Sequence, residues 1–129
     1  MKVRNGFTLI EVGLVLVAAA AVVGLVVVQR GNFEVMERDE RRKTAINAMY
    51  YALEEGFFKA NQYYPTTISA EILPEVEEKL WTDPTGHKLG EIGSEYVYEA
   101  ANCEDNKCSE YILRARLEKE DNYIKTNRG

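Results

Sequence analysis

The run from Phe7 to Val28 leaves this chain few ways to fold. Its residues are Val, Ala, Leu, Ile, Gly and a single Phe and Thr, and its one charge is Glu11. As a helix it spans about 33 Å at 1.5 Å per residue, enough to cross a hydrocarbon core of about 30 Å. No proline interrupts it. The run therefore predicts one membrane-spanning helix. Lys2 and Arg4 precede it, which keeps the N-terminus cytoplasmic; Arg30 on the far side is a weaker signal, offset by acidic residues soon after.

Glu11 is the anomaly in that helix. A carboxylate inside a membrane segment costs on the order of 3 kcal/mol and normally has a partner. No Lys or Arg lies between Phe7 and Val28, so the segment cannot supply one. Cleavage after Gly6 would create a new amine on Phe7, one helical turn from Glu11. In helices stacked side by side, the amine of one copy can meet the Glu11 of the next.

Gly6 followed by Phe7-Thr8-Leu9-Ile10-Glu11 and a long apolar helix, behind a short basic leader, resembles the processing and assembly signal of type IV pilins. Type II secretion pseudopilins and competence pilins share that signal. The resemblance implies prepilin-peptidase cleavage between Gly6 and Phe7 and N-methylation of the Phe7 amine. It also implies filament assembly through Phe7, Thr8 and Glu11, with Glu11 accepting a neighbour's amine. It is specific over the first quarter of the chain. A secretory signal peptide would have a shorter apolar core ending near Ala18–Ala21, whereas apolar residues continue to Val28. A plain signal anchor explains the length but neither Glu11 nor the Gly-Phe junction.

About 100 residues follow Val28, enough for one small core. The formal charge is −5; removing Lys2 and Arg4 with a leader leaves fourteen basic against 21 acidic side chains, a formal −7. Such acidity argues against a general nucleic-acid binder, which needs a basic patch. Cys103 and Cys108 are the only cysteines, close enough to pair and clasp a small loop outside the cytoplasm. A ring of that size stabilises by roughly 2 kcal/mol on the chain-entropy model. The spacing is not Cys-x-x-Cys, and one histidine is too few for a zinc site.

Taken in order, residues 1–6 read as the leader, 7–28 as the assembly helix and 29–61 as its amphipathic continuation. Between Glu34 and Lys43, four acidic and four basic side chains interleave at i,i+3 and i,i+4 spacings, the pattern of a solvated face that in a filament can also bridge subunits. From Ala45 on, Ile46, Met49, Leu53, Gly56/Phe57 and Ala60 form an apolar face. One helix is expected from Phe7 to Asn61, softened near Gly31 and ended by the approach to Pro65. Residues 62–94 connect, with Ser69 and Pro74 as possible short-helix starts, Trp81 in or over the core, and a turn at Asp83-Pro84-Thr85-Gly86. Residues 95–120 read as an antiparallel hairpin. Tyr96, Tyr98 and Ala100 alternate, and Tyr111, Leu113, Ala115 and Leu117 share one face. Residues 121–129 read as an ill-ordered polar tail. The Tyr-Pro-Thr-Thr junction, the Asp-Pro-x-Gly turn and the two strands also resemble small type IV pilins, which implies an α+β, ladle-like fold: a long N-terminal helix, membrane-spanning in its first half, packed on a small antiparallel sheet.

No catalytic constellation is visible. His87 stands beside a turn without triad partners, where a solvated ring is expected. Asp83, Glu104 and Asp105 are conceivable calcium ligands without EF-hand spacing, and no cofactor or metal is expected. One departure from the family pattern is the lack of a proline near the distal end of the membrane helix; the first proline is Pro65. The expectation is a non-enzymatic structural subunit of a homo-oligomeric filament. Its partners would be prepilin peptidase, the pilus or secretion assembly machinery and the cytoplasmic membrane, with no specific nucleic acid. The competing expectation is a monomeric, membrane-anchored binding module that keeps its anchor uncut.

Overall fold

The computed structural model describes residues 6–128. Met1–Asn5, which carry the basic leader, and Gly129 lie outside the described residues. The chain divides into two units, one ending at Val35 and the other beginning at Met36. The class is α+β: one long N-terminal helix and a small antiparallel sheet.

Helix α1 runs Leu9–Tyr51 without interruption, and Gly31 lies inside it with no break. The softening expected at Gly31 occurs instead at Ala52–Phe57, a π-helical turn followed by the short helix α2, Phe58–Asn61. The wider turn buries three successive residues, Ala52, Leu53 and Glu54. At Gly56, within the turn, a Cβ would lie 2.7 Å from the carboxylate of the exposed Glu75 side chain. The helix ends where Pro65 predicts. Gln62 turns left-handed at φ 64°, and the Asn61 side chain donates to the Phe57 carbonyl at 2.9 Å. Ala60, expected on the apolar face, is exposed because the π turn rotates the face before that residue.

Four strands form the sheet: β1 Tyr64–Pro65, β2 Tyr96–Glu104, β3 Lys107–Ala115 and β4 Tyr123–Thr126. Strand β3 is central. It pairs with β2 along one edge, while β1 and β4 share the other edge, all antiparallel. Asp105 and Asn106, both at positive φ, close β2 onto β3 as a two-residue turn. The expected Cys103–Cys108 loop is thus a strand pair in register, and the disulfide joins it. The tail read as ill-ordered carries β4, in register Ile112↔Thr126 to Ala115↔Tyr123. Its polar composition hid an edge strand, whose outward residues need not be apolar.

The core lies within the second unit. Ile46, Met49 and Leu53 of the helix meet Tyr96, Tyr111, Leu113 and Ala115 of the sheet, with Leu73, Val76 and Trp81 closing the side. Burying a side chain of the Leu or Ile kind contributes about 1.5–3 kcal/mol, so this contact dominates the stability of the unit. Ser69 caps no helix; its carbonyl accepts the Ile72 and Leu73 amides in a turn, and the one short helix of the connection is a 3-10 turn at Glu78–Trp81.

Candidate functional site

The first-unit motif begins at Gly6 and Phe7, both non-helical and exposed. Thr8 opens the helix. Its Oγ1 accepts the Glu11 amide at 3.2 Å, and the Glu11 carboxylate accepts the Thr8 amide at a long 3.5 Å. This is a reciprocal capping box, Thr-x-x-Glu, which satisfies two amides that a helix start leaves without partners. The Thr-x-x-Glu spacing itself is the sequence signal for this cap. The box gives Glu11 a role inside a single chain, and its charge also suits the positive end of the helix.

From Leu9 to Val28 no residue is buried, and large apolar side chains such as Leu9, Leu16 and Val28 are mostly exposed. The helix is long and apolar enough to cross a membrane, with a mean hydropathy of 2.7 over its most apolar window. That face needs a covering of lipid or protein, since an apolar surface of this extent in water is unstable.

The second unit holds polar clusters that composition concealed. Asp39 and Arg42, read as part of a solvated face, are both buried. Arg42 donates to Asp39 at 2.8 Å, to Glu118 at 2.7 Å and to Glu95. Asp39 also accepts the Glu118 and Lys119 amides. Burial alone would raise the Asp39 pKa, but those two amides and the guanidinium outweigh it and hold it below its ordinary value. Arg38, then Arg42, bring Glu118 down to about 2. The cluster ties the segment after β3 and the residue before β2 to α1.

A second cluster sits at the π turn. Buried Glu54 accepts the hydroxyls of Tyr64 at 3.0 Å and Tyr111 at 2.8 Å, and the Arg128 amide at 3.3 Å. Burial, then the adjacent carboxylate, push both phenols well above the usual tyrosine range. In the first cluster Arg42 meets three carboxylates, whereas in the second Glu54 meets two hydroxyls and a backbone amide.

The remaining sequence candidates are not brought together. Asp83 is buried, and its carboxylate accepts the amides of Thr85, His87 and Glu95, so it organises its own turn. Burial raises its pKa, and those hydrogen bonds override that to lower it. His87 is half-buried, not solvated, with Nδ1 2.9 Å from the Thr85 hydroxyl. Glu104 and Asp105 stand exposed at the hairpin tip. Among the described residues, no three His, Cys, Asp or Glu side chains are grouped to hold a metal ion. Trp81 is core, its indole N–H buried without a protein acceptor. No family model, curated protein or solved structure matches the chain.

Proposed function

We propose that this chain is a pilin or pseudopilin, a structural subunit with a ladle-like fold that polymerises through its N-terminal helix into a type IV pilus-like filament. The observation that carries the reading is the exposed apolar segment of α1 up to Val28, whose sole charge, Glu11, stands in the first turn of the helix. Prepilin peptidase cuts between Gly6 and Phe7, and the Phe7 amine is methylated. The precursor sits in the cytoplasmic membrane with its N-terminus inside. The assembly machinery then moves it into an extracytoplasmic filament, where Glu11 accepts the amine of a neighbouring Phe7. Removing apolar helices from lipid into a helix bundle exchanges one apolar environment for another, so close packing and the amine–carboxylate pair supply the preference for assembly.

The capping box favours a second reading, a monomeric anchored module in which Glu11 serves only its own helix start. Glu11→Gln separates the two. Glutamine keeps the capping box but carries no charge. The filament reading expects the variant to insert and be cut while filaments are lost; normal filaments from it would return Glu11 to a capping role. Intact mass and N-terminal sequencing, with active peptidase present, test processing directly. The expected product starts at Phe7 and carries one extra methyl group. A chain still starting at Met1 would mean an uncut anchor, and one starting near Val22 a secretory signal.

A further inference from the structure

Strand β2 has a free edge. Its one neighbour in the sheet is β3, whose far side is taken by β1 and β4. The Arg116 amide donates to the Glu95 carbonyl at 3.0 Å, in line with the pair Tyr96↔Ala115 that follows. Pairs in an antiparallel ladder alternate between hydrogen-bonded and unbonded. The main-chain groups of Tyr96, Tyr98 and Ala100 therefore point away from β3. Tyr111, opposite Ala100, agrees: its amide turns the other way, onto the Asn127 side chain at 3.3 Å. Ser94 Oγ accepts the Tyr96 amide. Among the described residues, the outward amides and carbonyls of Tyr98 and Ala100 have no partner. Two residues later Asn102 takes a positive φ of 54° and ends the regular edge.

Two adjoining cavities start at this edge. The first, about 310 Å³, is lined by Tyr96, Val97 and Tyr98 together with Ile68 and Leu89, and by no residue of β3. The second, about 320 Å³, shares Ile68 and Leu89 and reaches Trp81. Trp81 is buried, and its indole N–H, which can only donate, has no acceptor in the protein. Such a donor in a cavity wall calls for an occupant that carries oxygen. The rim is acidic. Glu71, Glu78 and Glu91 stand exposed there with Lys88 as the one cation of the lining, and none of the four makes an ion pair among the described residues.

A polypeptide main chain alternates donor and acceptor at the strand repeat of about 3.3 Å, so it is the ligand that an unpaired strand edge takes. We infer that the free edge of β2 and the adjoining cavities bind an extended segment of another polypeptide as an added strand. An apolar side chain of that segment rests over Ile68 and Leu89, a main-chain carbonyl serves Trp81, and basic residues meet Glu71, Glu78 and Glu91. A second copy offering the same edge would bring the same acidic rim against this one, and like charge opposes that pairing. The inference draws on the second unit alone and goes beyond the filament reading: it holds whether or not the chain polymerises.

The test uses the full chain in detergent micelles and a capped peptide, Lys-Val-Ile-Val-Lys, with binding followed by the fluorescence of Trp81, the one tryptophan. Expected are saturable binding and slower hydrogen exchange at the Tyr98 and Ala100 amides. The same peptide N-methylated at its three central amides cannot pair with an edge and should bind about tenfold more weakly, the effect of losing two hydrogen bonds. The acidic peptide Glu-Val-Ile-Val-Glu should also bind more weakly, by a margin that shrinks with added salt. Ala100→Pro removes one outward amide. Proline is tolerated where the N–H faces away from the ladder, so this variant should fold and bind the basic peptide less well. If it does not fold, the two modified peptides on the unmodified chain still decide. Equal binding by the methylated or the acidic peptide, or unchanged exchange at Tyr98 and Ala100, overturns the inference. Protection of those amides without peptide, growing with protein concentration, would give the edge to a second copy and overturn it too.

Discussion

Arg42 shows how much one side chain can hold. It is buried, and its guanidinium engages Asp39, Glu95 and Glu118 from three separate parts of the second unit. Arg42→Ala leaves Asp39 buried with its cation gone, and loss of one partner from a buried pair costs about 3–5 kcal/mol. Arg42→Lys is expected to recover little, because an ammonium cannot fork to three carboxylates as the planar guanidinium does. Urea titration of the full chain in micelles measures both. That cluster and the Asp83 turn together set the acid limit. Asp39 and Asp83 are held below their ordinary pKa values and Glu118 is brought to about 2. Unfolded, these carboxyls bind protons near pH 4. Below that the unfolded chain binds more protons than the folded one, so stability is full above about pH 5 and falls progressively towards pH 2. Unfolding midpoints that stay level from pH 6 to pH 2.5 would contradict this. None of it was legible in the charge pattern. Interleaved charges at helical spacing look alike whether the face they occupy meets water or a sheet, and only the carboxylates at 95 and 118 distinguish the cases.

At the scale of elements, the hairpin β2–β3 carries two independent devices. Asp105 and Asn106 adopt the positive φ that a tight turn requires, and Cys103–Cys108 bonds the strands one pair further in. The disulfide acts chiefly on the unfolded chain, so replacing both cysteines by alanine should cost about 2 kcal/mol while the hairpin keeps its register. Thermal unfolding together with amide exchange along β3 checks both parts; loss of protection at Leu113 in the native state would show that the bond also sets the pairing. The alternation of Tyr111, Leu113 and Ala115 made this hairpin readable, because period two against a helical apolar face has one solution. Strand β4 was not readable. Its Tyr123-Ile124-Lys125-Thr126 is short and polar, and only the open edge of β3 makes it a strand. The burial of Glu54 in the π turn was not readable for a related reason: one of its two phenol partners, Tyr111, lies in β3, far along the chain.

For the molecule as a whole, the buried residues belong to the second unit, and none of Phe7–Val28 is buried. A chain truncated to begin at Gln29 should therefore keep the disulfide, the sheet and a melting temperature within a few degrees of the full chain, since it loses none of the core burial that sets stability. It should also stay in solution without detergent and form no filaments. Circular dichroism and sedimentation decide this; a truncated chain that unfolds would mean that the apolar helix stabilises the body.

The sequence by itself determined the membrane-length helix, the placement of Glu11 in its first turn, the helix end before Pro65, the hairpin and the cysteine pair. Each of these follows from local rules: the length of an apolar run, the period of a pattern, the dihedral a proline allows, the proximity of two thiols. Only the tertiary structure decided that Asp39, Arg42 and Glu54 are interior, that Asp83 is consumed by its own turn and that the tail completes the sheet. Asp83 apart, whose partners lie in or near its own turn, those outcomes depend on segments distant in the chain, and whether a charge is buried is a property of what the fold brings against it.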